Sequence, residues 1–326
     1  MPELPEVEVV RAGLEPAVTG AVITAVEVFD QRSLKRHSPL EGPFDALLEG
    51  RRMLAAARRG KFLWFPLSDR DGAASQALVT HLGMSGQVLL RTPGVEEEGL
   101  LRIRLHIEHP ERGEFWVNFV DQRIFGSMAV DRLLPTPDGR DGGYFGFAAQ
   151  LGLEPAGDPA EEHAWRASVP AQVAHIARDP LDPAFDDAAF FAALARKKTG
   201  IKRALLDQTL ISGVGNIYAD ESLWAARLHY EYPSDKLSRP RARELLAEVR
   251  IVLEKALAEG GTSFDAQYVN VNGVSGYFAH SLTAYGREGQ PCFRCGTPIV
   301  REQFMNRSSY FCPRDQRPYR ARAART

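Results

Sequence analysis

Leu4, Val7, Val10 and Leu14 recur at helical spacing, and Glu3, Glu6 and Glu8 crowd the early turns, where the helix dipole favours acidic groups. The spacing predicts a short amphipathic helix over 3–14. The period then shortens to two. Residues 102–107 (Arg-Ile-Arg-Leu-His-Ile) alternate strictly, and 21–29 is rich in Val and Ile. Strands are predicted there and at 62–65, 77–82, 87–90 and 114–120. Gly and Pro break them at short intervals, which suggests a sandwich or barrel. Around 178–183 the texture changes: two Asp-Pro steps predict a stiff linker. Helical patterns follow at 185–198, with Asp186 or Asp187 near the start, then at 201–210, 216–226 and 241–259. Residues 262–284 keep no period, which predicts a long loop.

The chain has 326 residues, 44% hydrophobic and 25% charged, ordinary values for a globular protein of about two domains and a small module. No apolar run approaches the ~20 residues of a membrane span. The first residues lack a signal peptide's basic start and apolar core, so the expected compartment is the cytoplasm. Charge is unevenly spread. Residues 286–326 carry nine Arg against Glu288, Glu302 and Asp315, in a chain of net charge −2. A basic end of this kind points to a polyanionic partner.

Five constellations carry candidate chemistry. Once the initiator Met is removed, Pro2 presents a secondary amine at a helix start. The dipole lowers the pKa of such an amine, a nucleophile toward sugar carbons, and Glu3 and Glu6 lie near for proton transfer. Good first-turn residues give the same letters with no chemistry. Ser212-Gly213-Val214-Gly215-Asn216 joins two helices by a glycine turn, leaving N–H groups for a phosphate, with Asn216 placed to cap the helix or bind an anion. Cys292-x2-Cys295 and, sixteen residues on, Cys312-x2-Asp315 have zinc-ribbon spacing, with Asp at the fourth corner. Three cysteines at one end make no disulfide framework. Lys61 follows Arg58-Arg59-Gly60 into an aromatic strand, as a surface charge or a phosphate or catalytic contact. Met84, Arg123 and Phe125 sit on Gly-flanked turns; such residues pack cores, or wedge into a base stack when a nucleotide is flipped out.

Taken together, PELPEVE at 2–8, RRGKFLW at 58–64, HLGMSG at 81–86, DQRIFG at 121–126, SGVGNIYADE at 212–221, GGTSFDAQYVNVNG at 260–273 and MNRSSYFCP at 305–313 resemble the formamidopyrimidine-DNA glycosylase family. The resemblance covers nearly the whole chain in order. Leu4 looks like this family rather than its endonuclease VIII cousin. It implies an α+β chain. An N-terminal helix and β-sandwich occupy 1–177 and a hinge linker 178–185. A helix-two-turn-helix domain with a lesion loop fills 186–285, and a zinc ribbon 286–326. It implies a monomer acting on damaged duplex DNA, excising oxidised purines by a Schiff base and β,δ-elimination, with one structural zinc and no redox cofactor.

Residue by residue, Pro2 resembles the nucleophile, Glu3 its acid–base partner, and Glu6 a recognition or relay carboxylate at the DNA. Lys61 and Arg307 match the residues assigned to β- and δ-elimination. Asn216, Lys198 and Lys202 match DNA-backbone contacts. Met84, Arg123 and Phe125 match the wedge, and residues 264–277 the loop over the everted lesion. Two positions depart from the family pattern. Asp315 stands where a fourth Cys is common, and Leu100 where a phosphate-contacting His often lies. A lesion-binding homologue without catalysis would lack a working Pro2, Glu3 or Lys61, and all three are present. An enzyme of the same fold preferring oxidised pyrimidines is disfavoured by the PELPEVE start.

Overall fold

The computed structural model describes residues 2–68, 73–95, 99–146, 164–262, 271 and 278–320. Helix α1 (Leu4–Val18) runs a turn past its predicted end, because Ala17 and Val18 continue the buried face. Strands β1 (Val22–Val28), β5 (Gly86–Arg91), β6 (Leu101–His109) and β7 (Gly113–Asp121) form an antiparallel sheet in the order β1-β6-β7-β5. A second sheet, in the order β2-β3-β4-β8-β9, contains β2 (Ala57–Arg59), β3 (Phe62–Leu67), β4 (Gln76–His81), β8 (Ser127–Pro135) and β9 (Ser168–Pro170).

The sheets close as a sandwich. Ile103, Leu105, Val117 and Phe119 of the first meet Leu63, Phe65, Leu78, Met128 and Val130 of the second, and Val7, Val10 and Leu14 of α1 join them. The alternation of β6 survives in three dimensions: Ile103, Leu105 and Ile107 face the core, while Arg104 lays its guanidinium 4.0 Å over the Trp116 ring. β2, β8 and β9 were not expected from sequence. Two are three-residue strands with no periodicity to read, and β8 begins directly after the Gly126 turn.

Beyond the linker lie α2 (Asp187–Arg196), α3 (Ile201–Leu205), α4 (Asn216–Ala225) and α5 (Arg239–Ala258). Asp186 caps α2, accepting from Ala189 N–H. α3 stops five residues short of its predicted end. Asp207 accepts the Thr209 amide at 2.9 Å and hydroxyl at 2.7 Å, a side-chain turn that competes with the helix. The helical core contains Leu4 of α1. α1 therefore serves both cores, Leu4 in one and Val7, Val10 and Leu14 in the other. β10 (Val300–Phe304) and β11 (Arg307–Phe311) make the ribbon hairpin. Of the lesion loop expected at 264–277 only Val271 lies within the described residues. It packs in the sandwich core and its carbonyl accepts from Leu90 N–H at 3.1 Å. No described helix is long and apolar enough to cross a membrane.

Candidate active site

The start of α1 lies on the seam between the sandwich and the helical domain. Pro2 is buried there, and Met1 is outside the described residues. Leu4 N–H donates to Gly213 carbonyl at 3.0 Å, fixing the chain start against the turn between α3 and α4. The Glu3 carboxylate then accepts from the N–H groups of Gly215 (2.6 Å), Ile217 (3.0 Å) and Tyr218 (3.4 Å). These are the free donors of the α4 N-terminus, so a carboxylate from the other domain caps this helix. The expectation that this end holds a phosphate is thereby corrected: Glu3 occupies it. Only glycine fits at 215, because a Cβ there would overlap the Glu3 carboxylate.

Burial pushes the Glu3 carboxyl above its ordinary value, Lys61 opposes that rise, and Glu6 adds to it. Lys61, half-buried on the turn between β2 and β3, donates to Val214 carbonyl at 3.1 Å. Burial lowers its ammonium pKa, Glu3 resists, and the nearby Arg307 guanidinium lowers it further. A carboxyl biased toward its proton, next in the chain to the buried Pro2, and an amine biased toward losing one thus act on each other electrostatically at this seam.

Glu6, expected as a recognition or relay carboxylate, is enclosed next to Glu3. It is 2% exposed and accepts from Glu3 N–H (2.8 Å), Tyr218 hydroxyl (2.5 Å), Thr262 N–H (2.8 Å) and Thr262 hydroxyl (2.9 Å). It joins the starts of α1 and α4 to the chain just past α5. Lys202 is enclosed as well. Its side chain is 0% exposed, and its Nζ lies 2.7 Å from Asp220 Oδ1 and donates to Ser308 carbonyl and Ser309 hydroxyl. Three partners thus surround the ammonium, and burial pushes Asp220 up to about 6 despite Lys202. Asn216 lies one residue inside the helix rather than capping it. It is buried, and its Nδ2 donates to Ser308 carbonyl at 3.1 Å.

Lys198 and Arg307 are exposed and line one cleft of about 510 Å³ together with Arg203, Met305 and Asn306. The wedge candidates are also outside the core: Met84 is 36% exposed, Phe125 is 48%, and Arg123 lies 5.1 Å over the Phe125 ring. Asp121, missed in the sequence, holds their two turns together. Its Oδ1 accepts from Ser85 hydroxyl (2.6 Å) and Arg123 N–H (3.1 Å), and its Oδ2 from Gly126 N–H (2.7 Å). The turns touch so closely that a Cβ on Gly83 would overlap the Phe125 carbonyl. His81, also missed, accepts Gly83 N–H through Nδ1 at 3.1 Å. Burial holds it down to about 4, with Arg36, Lys61 and Lys35 adding repulsion.

At the ribbon, one donor atom from each of Cys292, Cys295, Cys312 and Asp315 falls within 4.8 Å of the others. Cys295 and Cys312 sulfurs lie 3.5 Å apart. Two thiolates on one tetrahedral zinc, each at ~2.3 Å, stand about 3.8 Å apart, so the donor set fits that ion.

The comparisons follow the same outline. The formamidopyrimidine-DNA glycosylase N-terminal domain matches residues 1–128, the H2TH domain of these enzymes residues 176–267, and the zinc finger found in FPG and IleRS residues 289–318. The formamidopyrimidine-DNA glycosylase of Leifsonia xyli is 69% identical over 97% of this chain and 100% of its own. This chain belongs to the formamidopyrimidine-DNA glycosylase family. The Streptomyces coelicolor member is 52% identical, covering 98% of this chain and 99% of its own. Among solved structures, the Lactococcus lactis Fpg with abasic-site DNA has a TM-score of 0.73 at 27% identity, over 97% of this chain and 99% of that one. A MutM complex with DNA containing carbocyclic 8-oxo-G has a TM-score of 0.73 at 27% identity, over 97% and 100%. The family's members are DNA glycosylases of repair, and the α+β architecture with its helical domain and zinc-finger module is theirs.

Proposed function

We propose that this glycosylase excises oxidised purines from duplex DNA and then cuts the strand as a lyase, with Pro2 as the nucleophile. The observation that carries the reading is the buried Glu3, next to Pro2 in the chain and held on the α4 start by three N–H donors, with its carboxyl pushed up and the half-buried Lys61 ammonium, which it feels, pushed down. The reaction needs Met1 removed. The Pro2 nitrogen bonds to C1′ of the damaged nucleotide as the C1′–N bond breaks, and the departing base takes the electron pair and a proton. Glu3, biased toward its protonated form, supplies a proton as the sugar ring opens to an iminium. The iminium acidifies the C2′ proton. Lys61, biased toward the free amine, accepts it, and the 3′ phosphate leaves. Arg307 faces the second phosphate, whose departure completes the δ-elimination. Lys198, with Arg203, supplies further phosphate contacts from the same cleft. Asn216 reaches the DNA backbone by exchanging its bond to Ser308 carbonyl. Met84, Arg123 and Phe125 fill the gap left by the everted base.

The site works as a monomer in the cytoplasm, and a single zinc, held by Cys292, Cys295, Cys312 and Asp315, would fold the ribbon that aims Arg307. Borohydride trapping on a duplex carrying 8-oxoguanine tests the reading. Covalent capture is expected for the unmodified protein, and Pro2→Gly is expected to lose most of it while still binding the duplex. Equal trapping by the variant would assign the nucleophile elsewhere.

A further inference from the structure

A carboxylate at one corner of a metal site raises a problem that a thiolate does not. It has two equivalent oxygens and turns about its last torsion, so one oxygen must be held for the other to stay on the metal. Arg294 lies between the first two cysteines and touches that carboxylate. Its Nε donates to Asp315 Oδ2 at 2.8 Å. Its terminal nitrogens donate elsewhere, to Ala225 carbonyl at 3.3 Å and to Trp224 carbonyl. The guanidinium plane also lies 3.8 Å over the Trp224 ring.

This geometry excludes the two-pronged clamp that an arginine commonly makes on a carboxylate. The nitrogen that would reach the second oxygen is spent on the last carbonyls of α4. One Asp315 oxygen is therefore held and the other is left over. We propose that Arg294 is the positioning residue for the metal's carboxylate ligand, taking Oδ2 and leaving the second oxygen for the ion. The proposal rests on the zinc reading given above. It also explains how Asp can serve where a cysteine would need no orienting partner.

A strut between ribbon and α4 would use the same bonds, so the test separates the two roles. Zinc content and the rate of zinc transfer to a chromophoric chelator are measured without DNA in four proteins: unmodified, Arg294→Met, Asp315→Cys and the double variant. Loss of an outer-shell partner costs about 10–100-fold in metal affinity, so Arg294→Met is expected to speed release by about tenfold or more when Asp315 is present. In the Asp315→Cys background the same change is expected to do little, because a thiolate needs no second oxygen held back. Equal acceleration in both backgrounds, including the case where Arg294→Met unfolds the ribbon, makes Arg294 a strut and overturns the proposal. So does no acceleration in either. Absence of zinc from freshly purified unmodified protein that also fails to take it up overturns the zinc reading, and the proposal with it.

Discussion

At the scale of single residues, protonation is set by what encloses each group. His81 is neutral in the fold because burial and three nearby cations disfavour its charge, and its Nδ1 lone pair is committed to Gly83 N–H. Its folded pKa, about 4, lies below the ordinary value of 6.5. The unfolded chain therefore binds the proton first as pH falls. Stability is full above about pH 6.5 and drains away as pH drops toward 4. His81→Asn removes this group from the balance. The fall in Tm from pH 7 to pH 5 is expected to be smaller in the variant than in the unmodified protein, by thermal melts at matched ionic strength. Identical falls would mean that His81 carries no proton linkage.

At the scale of elements, two turns act as one part. Asp121 receives donors from both, so the 83–86 turn and the 122–126 turn move together and leave Met84 and Phe125 outward. Met84→Ala and Phe125→Ala remove exposed side chains, so unfolding free energies are expected to change by no more than about 0.5 kcal/mol. Excision from duplex is expected to slow much more than unspecific DNA binding weakens. Asp121→Ala, which orphans the buried Gly126 N–H and frees the Ser85 hydroxyl, is expected to lower both stability and excision. Urea titration beside single-turnover excision distinguishes these patterns; equal loss of excision and binding in the first two variants would count against the wedge. The same elements show what the sequence could reveal. Periodicity exposes α1, β6 and α5, because each buries one continuous face. It cannot expose β2 or β9, whose three residues complete no period. The motif residues Glu3, Lys61 and the ribbon cysteines are legible by type and spacing. The enclosure of Glu6 and Lys202 is not, because it depends on Tyr218, Thr262 and Asp220 arriving from far along the chain.

At the scale of the whole molecule, buried charges sew the parts together. Glu3 and Glu6 bind the sandwich side to α4. Asp220 pairs with Lys202 under the ribbon hairpin, and Glu221 accepts N–H groups of Thr283, Ala284 and Tyr285. The third seam runs from the sandwich to the linker. Arg58, 1% exposed, donates to Asp179 at 2.7 Å and to Glu8 at 2.8 Å, and Asp179 also accepts Gly60 N–H at 3.3 Å. A linker carboxylate thus holds the turn that carries Lys61. Removing one partner of a buried pair strands the other, so Arg58→Met or Asp179→Leu alone is expected to cost about 3–5 kcal/mol. In Arg58→Met, Glu8 keeps Arg11, whose Nε lies 2.9 Å from its Oε1, so the stranded charge is Asp179. The double variant leaves neither charge unpaired and is expected to be destabilised by clearly less than the sum of the singles. Its Gly60 N–H has no acceptor, however, and the Lys61 turn loses its anchor. Urea unfolding is therefore expected to recover in the double variant while β-elimination on abasic-site DNA stays slow. If elimination recovers in step with stability, the Asp179–Gly60 bond does not position Lys61, and the pair serves the fold alone.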